Sequence, residues 1–202
     1  SKLYASAISS GRARFSMHPW QAHITAAERL ASNTFGSRNT QLPCHPCDRA
    51  HHYVVMSSCV STQIPHAVGI AMAMKIAGAR GEVAFGFMGD GGTSSGEFHV
   101  AMNFAGVTGA PCVLICQNNQ WAISTPGHVQ TAAETIALKA QGYGLPVVRA
   151  DGNDVFAVLT AVRHAGERAR RGEGASFVEL LTYRVSAHSS SDDPSRYRDE
   201  RV

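Results

Sequence analysis

The chain has 202 residues, of which 44% are apolar and 16% charged, and its formal net charge is +3. That length is enough for one globular domain with a core of its own. The small net charge, without any block of Lys or Arg, argues against a nucleic-acid-binding protein. No apolar run approaches the roughly eighteen residues that a membrane span requires, so we expect no membrane partner.

Five cysteines form no disulfide framework, and an odd number in this setting indicates reduced thiols inside a cell. Cys44 and Cys47 form a single CxxC, which favours incidental cysteines in a Pro-rich loop over a zinc site, because no second CxxC completes four ligands. The acid-free, Ser-rich and Arg-containing start of the chain overlaps in composition with a mitochondrial transit peptide, although we favour a trimmed fragment. We therefore expect a bacterial cytoplasmic protein, with the mitochondrial matrix as the alternative.

The amino-terminal segment, residues 1–40, shows little periodicity and stays unassigned, so we place the domain at residues 41–202. The first clear helix follows Ser61 or Thr62 as its N-cap and has a proline in its first turn. Apolar residues recur every four positions along it, which predicts one buried face: Ile64, Val68, Met72 and Ile76.

Four short apolar runs then alternate with helix-like segments. The runs are residues 83–88, 112–116, 146–150 and 176–182. The helices between them start near Ser94, at a capping box opened by Thr131, and near Val155. Strands and helices in this order predict an α/β fold, a doubly wound parallel sheet with helices on both faces.

The first two strands each end in residues suited to a phosphate-bound metal. The first ends in Gly89-Asp90-Gly91-Gly92 and the second in Gln117-Asn118-Asn119. Ligands of open α/β sheets bind at this carboxyl edge, and glycines let the backbone turn sharply and approach a ligand. Asp90 and Asn119 offer hard oxygens for Mg²⁺, and the amino terminus of the following helix suits a diphosphate.

Gly-Asp-Gly followed at this spacing by Asn-Asn resembles the signature of thiamine-diphosphate enzymes. Over about residues 41–198 the chain is most similar to alpha subunits of the decarboxylating component of 2-oxo acid dehydrogenase complexes. Further matching segments are residues 57–65, 122–126 and 151–154, and a Ser/Asp/Arg-rich loop at residues 184–198. Of these, residues 151–154 resemble the branched-chain version. The resemblance implies the thiamine-diphosphate-binding fold, with the loop closing the active site.

The resemblance also implies roles for individual residues. It implies Mg²⁺ ligation by Asp90, Asn119 and the carbonyl of Trp121, and a potassium site in branched-chain members at Ser57, Thr62 and Gln63. The resemblance further implies that His188 is the catalytic residue and that the following Ser189 is the phosphorylation candidate. The cofactor contacts so implied are Ser58, Val60, Gly89, Asp90, Gly91, Gly92, Asn119, Trp121, Ile123 and His188.

The implied activity is oxidative decarboxylation of branched-chain 2-oxo acids, with transfer of the acyl group to the lipoyl arm of an acyltransferase partner. In this family a beta subunit supplies the glutamate that activates the cofactor, so we expect a heterotetramer. The small residues Ala101, Ala105 and Gly106 are expected to admit a partner element closely. The alternatives are an alpha subunit for pyruvate or acetoin, and a truncated, non-catalytic interaction subunit.

Three departures from the family pattern stand out. Gln117 occupies a position where relatives often have an arginine near the diphosphate, and residues 1–40 contain no match to the family's Tyr-Arg pair. Ser95 replaces the family's usual glutamate, although Glu97 still lies in the first helical turn. The family chain also continues beyond the loop. We therefore expect a partial alpha subunit.

Overall fold

The computed structural model describes residues 5–8 (as backbone), 52–54 and 59–199. The strands are β1 Ala5–Ile8, β2 Val83–Gly89, β3 Cys112–Asn118, β4 Trp121–Ala122, β5 Thr125–Pro126, β6 Val147–Asp151 and β7 Ser176–Leu181. The α-helices are α1 Gln63–Ile76, α2 Gly96–Thr108, α3 Gly127–Gln130, α4 Ile136–Gln141 and α5 Val155–Arg170. Two short 3₁₀ helices lie at Asp90–Ser94 and Pro194–Arg196.

The main sheet has five strands in the order β1-β2-β3-β7-β6. All neighbours run parallel except β1, which pairs antiparallel with β2 at the edge. The predicted parallel, doubly wound arrangement is confirmed for the four strands from β2 to β7. The antiparallel edge strand was not predicted, because it falls in the segment that the sequence left unassigned.

Helices cover both faces of the sheet, and alternate residues of each strand serve the two faces. Along β3, Leu114 packs with α1, α2 and α4, whereas Val113 and Ile115 pack with α5. The strands are therefore apolar on both faces, as expected for a buried parallel sheet. This double burial is why the four runs stood out as continuous apolar stretches in the sequence.

Helix α1 begins as predicted, with Thr62 at the N-cap position, although the Thr62 side chain caps no N–H and instead donates to the carbonyl of Cys59 at 3.2 Å. Its predicted buried face holds for Ile64 and Val68, and Met72 packs partly against the core. The prediction is wrong for Ile76, which is 85% exposed. This residue is the last of the helix.

The predicted capping box at Thr131 is wrong. Helix α4 begins at Ile136, and the cap is Thr135, whose Oγ1 accepts from the N–H of Leu138 at 3.3 Å. The start is set from outside the segment, because the carboxylate of Glu179 on β7 accepts from the N–H of Ala137 at 2.9 Å. A local pattern cannot show a cap of that kind.

The small residues of α2 serve this chain's own packing. Ala101 and Ala105 are buried in the core, and a Cβ on Gly106 would collide with the carbonyl oxygen of Tyr143. They therefore do not form the expected contact face for a partner. The side of α2 that faces outward is apolar and exposed at Val100, Phe104 and Val107.

Several predictions fall outside the described residues: Ser57, Ser58, and the CxxC of Cys44 and Cys47. Within the part of the chain that the structure describes, no helix is long and apolar enough to cross a membrane.

Candidate functional site

The two turns singled out from the sequence lie side by side at the carboxyl edge of the sheet. Strands β2 and β3 pair in parallel with Gly89 opposite Gln117, so Asp90 leaves the sheet level with Asn118 and Asn119 one residue further on. The sheet register thus places a carboxylate and two carboxamides on neighbouring strand ends, where open α/β sheets bind ligands.

Asp90 is only 3% exposed and is fixed by a small network. The Nε2 of Gln130 donates to Asp90 Oδ2 at 2.9 Å, and the hydroxyl of Thr93 donates to the Asp90 carbonyl at 2.8 Å. Lys139 in turn donates to the carbonyl and the hydroxyl of Thr93, at 3.1 and 3.2 Å. Burial lowers the pKa of Lys139, although the adjacent thiol of Cys116 opposes the change. Both ends of the Asp90–Ser94 turn are therefore held by residues of α3 and α4.

Gln130 leaves one buried atom unsatisfied beside this carboxylate. Its Nε2 is shared between Asp90 Oδ2 and the carbonyl of Thr125, while its Oε1 has no hydrogen-bond partner. Turning the amide over would place Oε1 against two acceptors, so the orientation is fixed by its surroundings. A buried acceptor without a donor costs about 1–3 kcal/mol, and a metal-bound water or ligand donor at Asp90 would satisfy it.

The two glycines after Asp90 are required by close packing within the chain. A Cβ on Gly91 would lie 2.6 Å from the Cβ of Ala122, and one on Gly92 would lie 2.8 Å from the hydroxyl of Ser61. That hydroxyl donates to the Gly92 carbonyl at 2.7 Å. On this side the room left by the missing side chains is therefore filled by the β4–β5 hairpin and the start of α1.

The turn after β3 is held by its own side chains. Asn118 Oδ1 accepts from the N–H of Gln120, and Asn119 Oδ1 accepts from the N–H of Trp121, each at 3.0 Å. Gln120 and Ile123 have positive φ angles of 71° and 57°, which non-glycine residues rarely adopt. An oxygen with two lone pairs keeps one free after a single hydrogen bond, so the oxygens of Asn119 and Trp121 remain usable as ligands.

The predicted ligand set fits a Mg²⁺ ion in its chemistry. It consists of the carboxylate of Asp90, the amide oxygen of Asn119 and the carbonyl of Trp121, all of them hard oxygen donors from adjacent strand ends. Mg²⁺ usually takes few protein ligands and shares its shell with phosphate oxygens and water. The orphaned Oε1 of Gln130 at the same carboxylate supports the fit.

The loop at residues 184–198 is attached to this turn through Arg184. Its guanidinium donates to the carbonyl of Trp121 at 3.3 Å, to that of Ile123 at 2.7 Å and to the hydroxyl of Tyr197 at 2.6 Å. The rings of Tyr197 and Trp121 lie 5.6 Å apart between centroids. A second arginine, Arg198, donates to the carbonyls of residues 184 and 185. The loop therefore lies against the predicted ligand Trp121.

His188 is held in the loop by its backbone, whose N–H donates to Asp192 Oδ2 at 2.7 Å. Partial burial lowers the pKa of His188 below 6.5, and the charge of Arg184 acts in the same direction, whereas Asp192 opposes them. The hydroxyl of Tyr197 also donates to Asp192 at 2.7 Å, and these hydrogen bonds lower the pKa of the Asp192 carboxyl. Sequence reasoning selected His188 but missed the roles of Arg184, Asp192 and Tyr197.

The remaining predicted residues lie around these two turns. Val60 and Ile123 are half exposed apolar residues, and Thr62 and the buried Gln63 lie at the start of α1. Of the predicted potassium ligands, these last two are the ones that the structure describes. Ser189 is exposed, with its hydroxyl 3.2 Å from that of Ser191.

A cleft of about 760 Å³ opens between the Asp90 turn, the segment 126–136 and the ends of β6 and β7. Its polar lining includes Asp90, Asn118, Gln130, Arg149 and Glu179. Glu179 was not among the residues predicted from the sequence. The available signal was an acidic residue in the middle of the otherwise apolar run that forms β7.

A profile of the family described as "Dehydrogenase E1 component" matches residues 21–202. The 3-methyl-2-oxobutanoate dehydrogenase subunit alpha of Mycobacterium tuberculosis (strain CDC 1551 / Oshkosh) is 50% identical over 145 residues, which are 72% of this chain and 39% of that protein. The 2-oxoisovalerate dehydrogenase subunit alpha of Bacillus subtilis (strain 168) is 45% identical over 184 residues, which are 91% of this chain and 55% of that protein. The mitochondrial 2-oxoisovalerate dehydrogenase subunit alpha 2 of Arabidopsis thaliana is 41% identical over 176 residues, which are 85% of this chain and 37% of that protein.

In these three comparisons the chain spans between about a third and just over half of its relative's length. The family profile nevertheless covers nearly the whole of the sequence, including both turns and the loop at residues 184–198. The chain belongs to the dehydrogenase E1 component family.

Proposed function

We propose that this chain is the cofactor-binding part of an alpha subunit that carries out oxidative decarboxylation of branched-chain 2-oxo acids, with acyl transfer to the lipoyl group of an acyltransferase. The single observation that carries the proposal is the pairing of β2 with β3, which sets Asp90 beside Asn118 and Asn119. The names of the relatives, which include 3-methyl-2-oxobutanoate and 2-oxoisovalerate dehydrogenases, support the branched-chain substrate.

The proposed cofactors are thiamine diphosphate and Mg²⁺. Asp90, Asn119 and the Trp121 carbonyl would hold the metal, which would supply positive charge for binding the diphosphate. Bound thiamine diphosphate supplies the electron sink that decarboxylation of a 2-oxo acid needs. The backbone at Gly89, Gly91 and Gly92, the apolar side chains of Val60 and Ile123, and Ser58 complete the proposed cofactor contacts. Thr62 and Gln63, with Ser57, form the proposed potassium site.

His188 is the proposed acid or base at the reacting carbon. Its lowered pKa keeps the imidazole neutral at pH 7, so that it can accept a proton there and return it later in the cycle. Arg184 donates both to the carbonyl of Trp121 and to the hydroxyl of Tyr197, and these hydrogen bonds hold the loop against Trp121. A loop held by polar contacts of this kind can open for substrate without exposing a large apolar surface.

The proposed partners are a beta subunit, in a heterotetramer, and a lipoyl-bearing acyltransferase. The outward face of α2, with Val100, Phe104 and Val107 exposed, supports burial of this helix against another chain. The proposed location is the bacterial cytoplasm, with the mitochondrial matrix as the alternative. A non-catalytic interaction subunit is the second candidate, and Gln117 favours it, because relatives often have an arginine near the diphosphate at that position.

The test is turnover by the chain assembled with its beta partner and a lipoylated acceptor domain. We expect lipoyl acylation with 2-oxoisovalerate to exceed that with pyruvate or acetoin, and no turnover by this chain without the beta partner. Preference for pyruvate or acetoin would replace the substrate assignment. Thiamine diphosphate binding without any turnover by the assembled complex would favour the non-catalytic alternative.

A further inference from the structure

Glu179 is a fully buried carboxylate that the proposed chemistry does not use. It lies on β7 with 0% exposure, among apolar neighbours on the same strand. Its Oε1 accepts from Asn118 Nδ2 at 2.7 Å, and its Oε2 accepts from the N–H of Ala137 at 2.9 Å. The Nε of Arg149, on a half-exposed side chain, lies 3.7 Å from Oε2.

A buried carboxylate contributes little net free energy to the stability of a sheet. Desolvating the charge costs several kcal/mol, and well-packed apolar residues of similar volume are often as stable or more so. The partners of Glu179 belong to β3, β6 and α4, so its carboxylate connects three elements at the end of the sheet that carries the two turns. Its role is therefore better sought in the geometry of those turns than in stability.

The first contact of Glu179 leads to the Asn119 turn. Because the Nδ2 of Asn118 is committed to Glu179, the Oδ1 of Asn118 faces the N–H of Gln120, at 3.0 Å. That bond supports the positive φ of Gln120, and the turn then sets Asn119 Oδ1 against the N–H of Trp121. The orientation of the Asn118 amide thus determines the directions of the two predicted ligand oxygens of this turn, Asn119 Oδ1 and the carbonyl oxygen of Trp121.

The second contact of Glu179 leads to the Asp90 turn. By accepting from Ala137 it fixes the first turn of α4, whose Lys139 donates to both oxygens of Thr93. Thr93 in turn donates to the carbonyl of Asp90. One buried side chain is therefore connected, by hydrogen bonds and the first turn of α4, to both strand ends that carry the predicted metal ligands.

We propose that Glu179 is a positioning residue for the metal–diphosphate site, acting on Asn119 and Trp121 through the amide of Asn118. This inference rests on the proposed function. Partners that orient metal ligands typically change metal affinity by about 10–100-fold when they are replaced. The expected loss for Glu179→Gln is therefore at least about tenfold in the Mg²⁺-dependent affinity for thiamine diphosphate. The glutamine side chain keeps one acceptor oxygen for two donors, so its NH2 group would face either Asn118 Nδ2 or the N–H of Ala137.

The experiment is calorimetric titration of thiamine diphosphate at several Mg²⁺ concentrations, on the alpha chain assembled with its beta partner. The matched control is Glu173→Gln, which removes the same charge from an exposed carboxylate paired with Arg168 and Arg171. Melting temperatures without cofactor are recorded for every variant, so that lost stability is separated from lost affinity. We expect Glu173→Gln to bind as the parent does.

A double-mutant cycle with Asn118→Ala separates positioning from general damage. If Glu179 acts through Asn118, the loss from Glu179→Gln largely disappears in the Asn118→Ala background, whereas damage elsewhere would add. Full additivity, or affinity for Glu179→Gln within twofold of the Glu173→Gln control, would overturn the inference. If Glu179→Gln does not fold, Asn118→Ala alone must weaken binding about tenfold, and parent-like affinity overturns the inference. Failure of the parent complex to bind thiamine diphosphate would instead reject the proposed function.

Discussion

Replacing Gly91 by alanine tests how closely the β4–β5 hairpin packs on the Asp90 turn. The new Cβ would lie 2.6 Å from the Cβ of Ala122, whereas carbon atoms in contact prefer about 3.5–4.0 Å. The hairpin must therefore move away by roughly 1 Å, and overpacking of this size costs about 1–3 kcal/mol. For a chain of this length each kcal/mol lowers the melting temperature by about 2–4 °C, so we expect a decrease of roughly 2–12 °C.

The matched control is Gly69→Ala in the middle of α1, where an added Cβ meets nothing within 4 Å. There the substitution should raise stability by about 0.5–1 kcal/mol, because glycine is a poor helix former. Both variants are compared with the parent by thermal and urea unfolding. The packing argument is refuted if Gly91→Ala unfolds at the parent's temperature while Gly69→Ala shows its expected increase.

Three further predictions concern titration, thiol reactivity and the loop. Because burial lowers the pKa of His188, the folded chain binds fewer protons at this site than the unfolded chain between that lowered pKa and 6.5. His188 should therefore reduce the free energy of unfolding as the pH falls below about 6.5 and contribute nothing above pH 6.5. His188→Gln should remove this part of the pH dependence of urea unfolding. An unchanged pH dependence would contradict the lowered pKa of His188. Burial raises the pKa of Cys112 to about 12 and that of Cys116 well above its usual value, while Cys59 is exposed. In a Cys44→Ser/Cys47→Ser background a thiol reagent at pH 8 should thus modify one thiol in the native chain and three after unfolding, and rapid native modification of all three would show that the β3 thiols are accessible. A phosphate on Ser189 would add about −1.5 to −2 charges close to Asp192 and to the proposed site of the cofactor diphosphate. In limited proteolysis of the assembled complex, thiamine diphosphate should protect residues 184–198 in the parent and fail to do so in Ser189→Glu, with Ser190→Glu as a comparison; equal protection in the parent and Ser189→Glu would reject this role.

The sheet and the position of the two turns could be predicted because their signals are local. Strands buried on both faces appear as continuous apolar runs, and the turn residues directly follow them in the sequence. Strands β2 and β3 are joined by one long helix and pair in parallel, as expected for consecutive strands of an α/β sheet. For the same reason Asp90 and Asn119 could be assigned to one edge before any coordinates.

The missed features depend on contacts between residues far apart in the chain. The start of α4 is set by Glu179 rather than by Thr131, and this carboxylate lies on a strand that follows α4 by many residues. The attachment of the loop at residues 184–198 also depends on distant contacts, because its sequence has few apolar anchors. Its anchors are instead polar: Arg184 binds two carbonyls of the turn after β3, and Asp192 binds His188 and Tyr197. The amino-acid composition of the loop predicts neither the contacts of Arg184 nor those of Asp192.

The measurement that tests the central claim most directly is calorimetric titration of thiamine diphosphate into the assembled complex, with and without Mg²⁺. Asp90→Ala is compared with Asp151→Ala, whose carboxylate is exposed at the end of β6. Because Asp90 is the only carboxylate of the proposed Mg²⁺ shell, we expect binding that requires Mg²⁺, an affinity lower by at least about tenfold in Asp90→Ala, and parent-like affinity in Asp151→Ala. Equal affinity of Asp90→Ala and the parent in magnesium buffer would contradict the account.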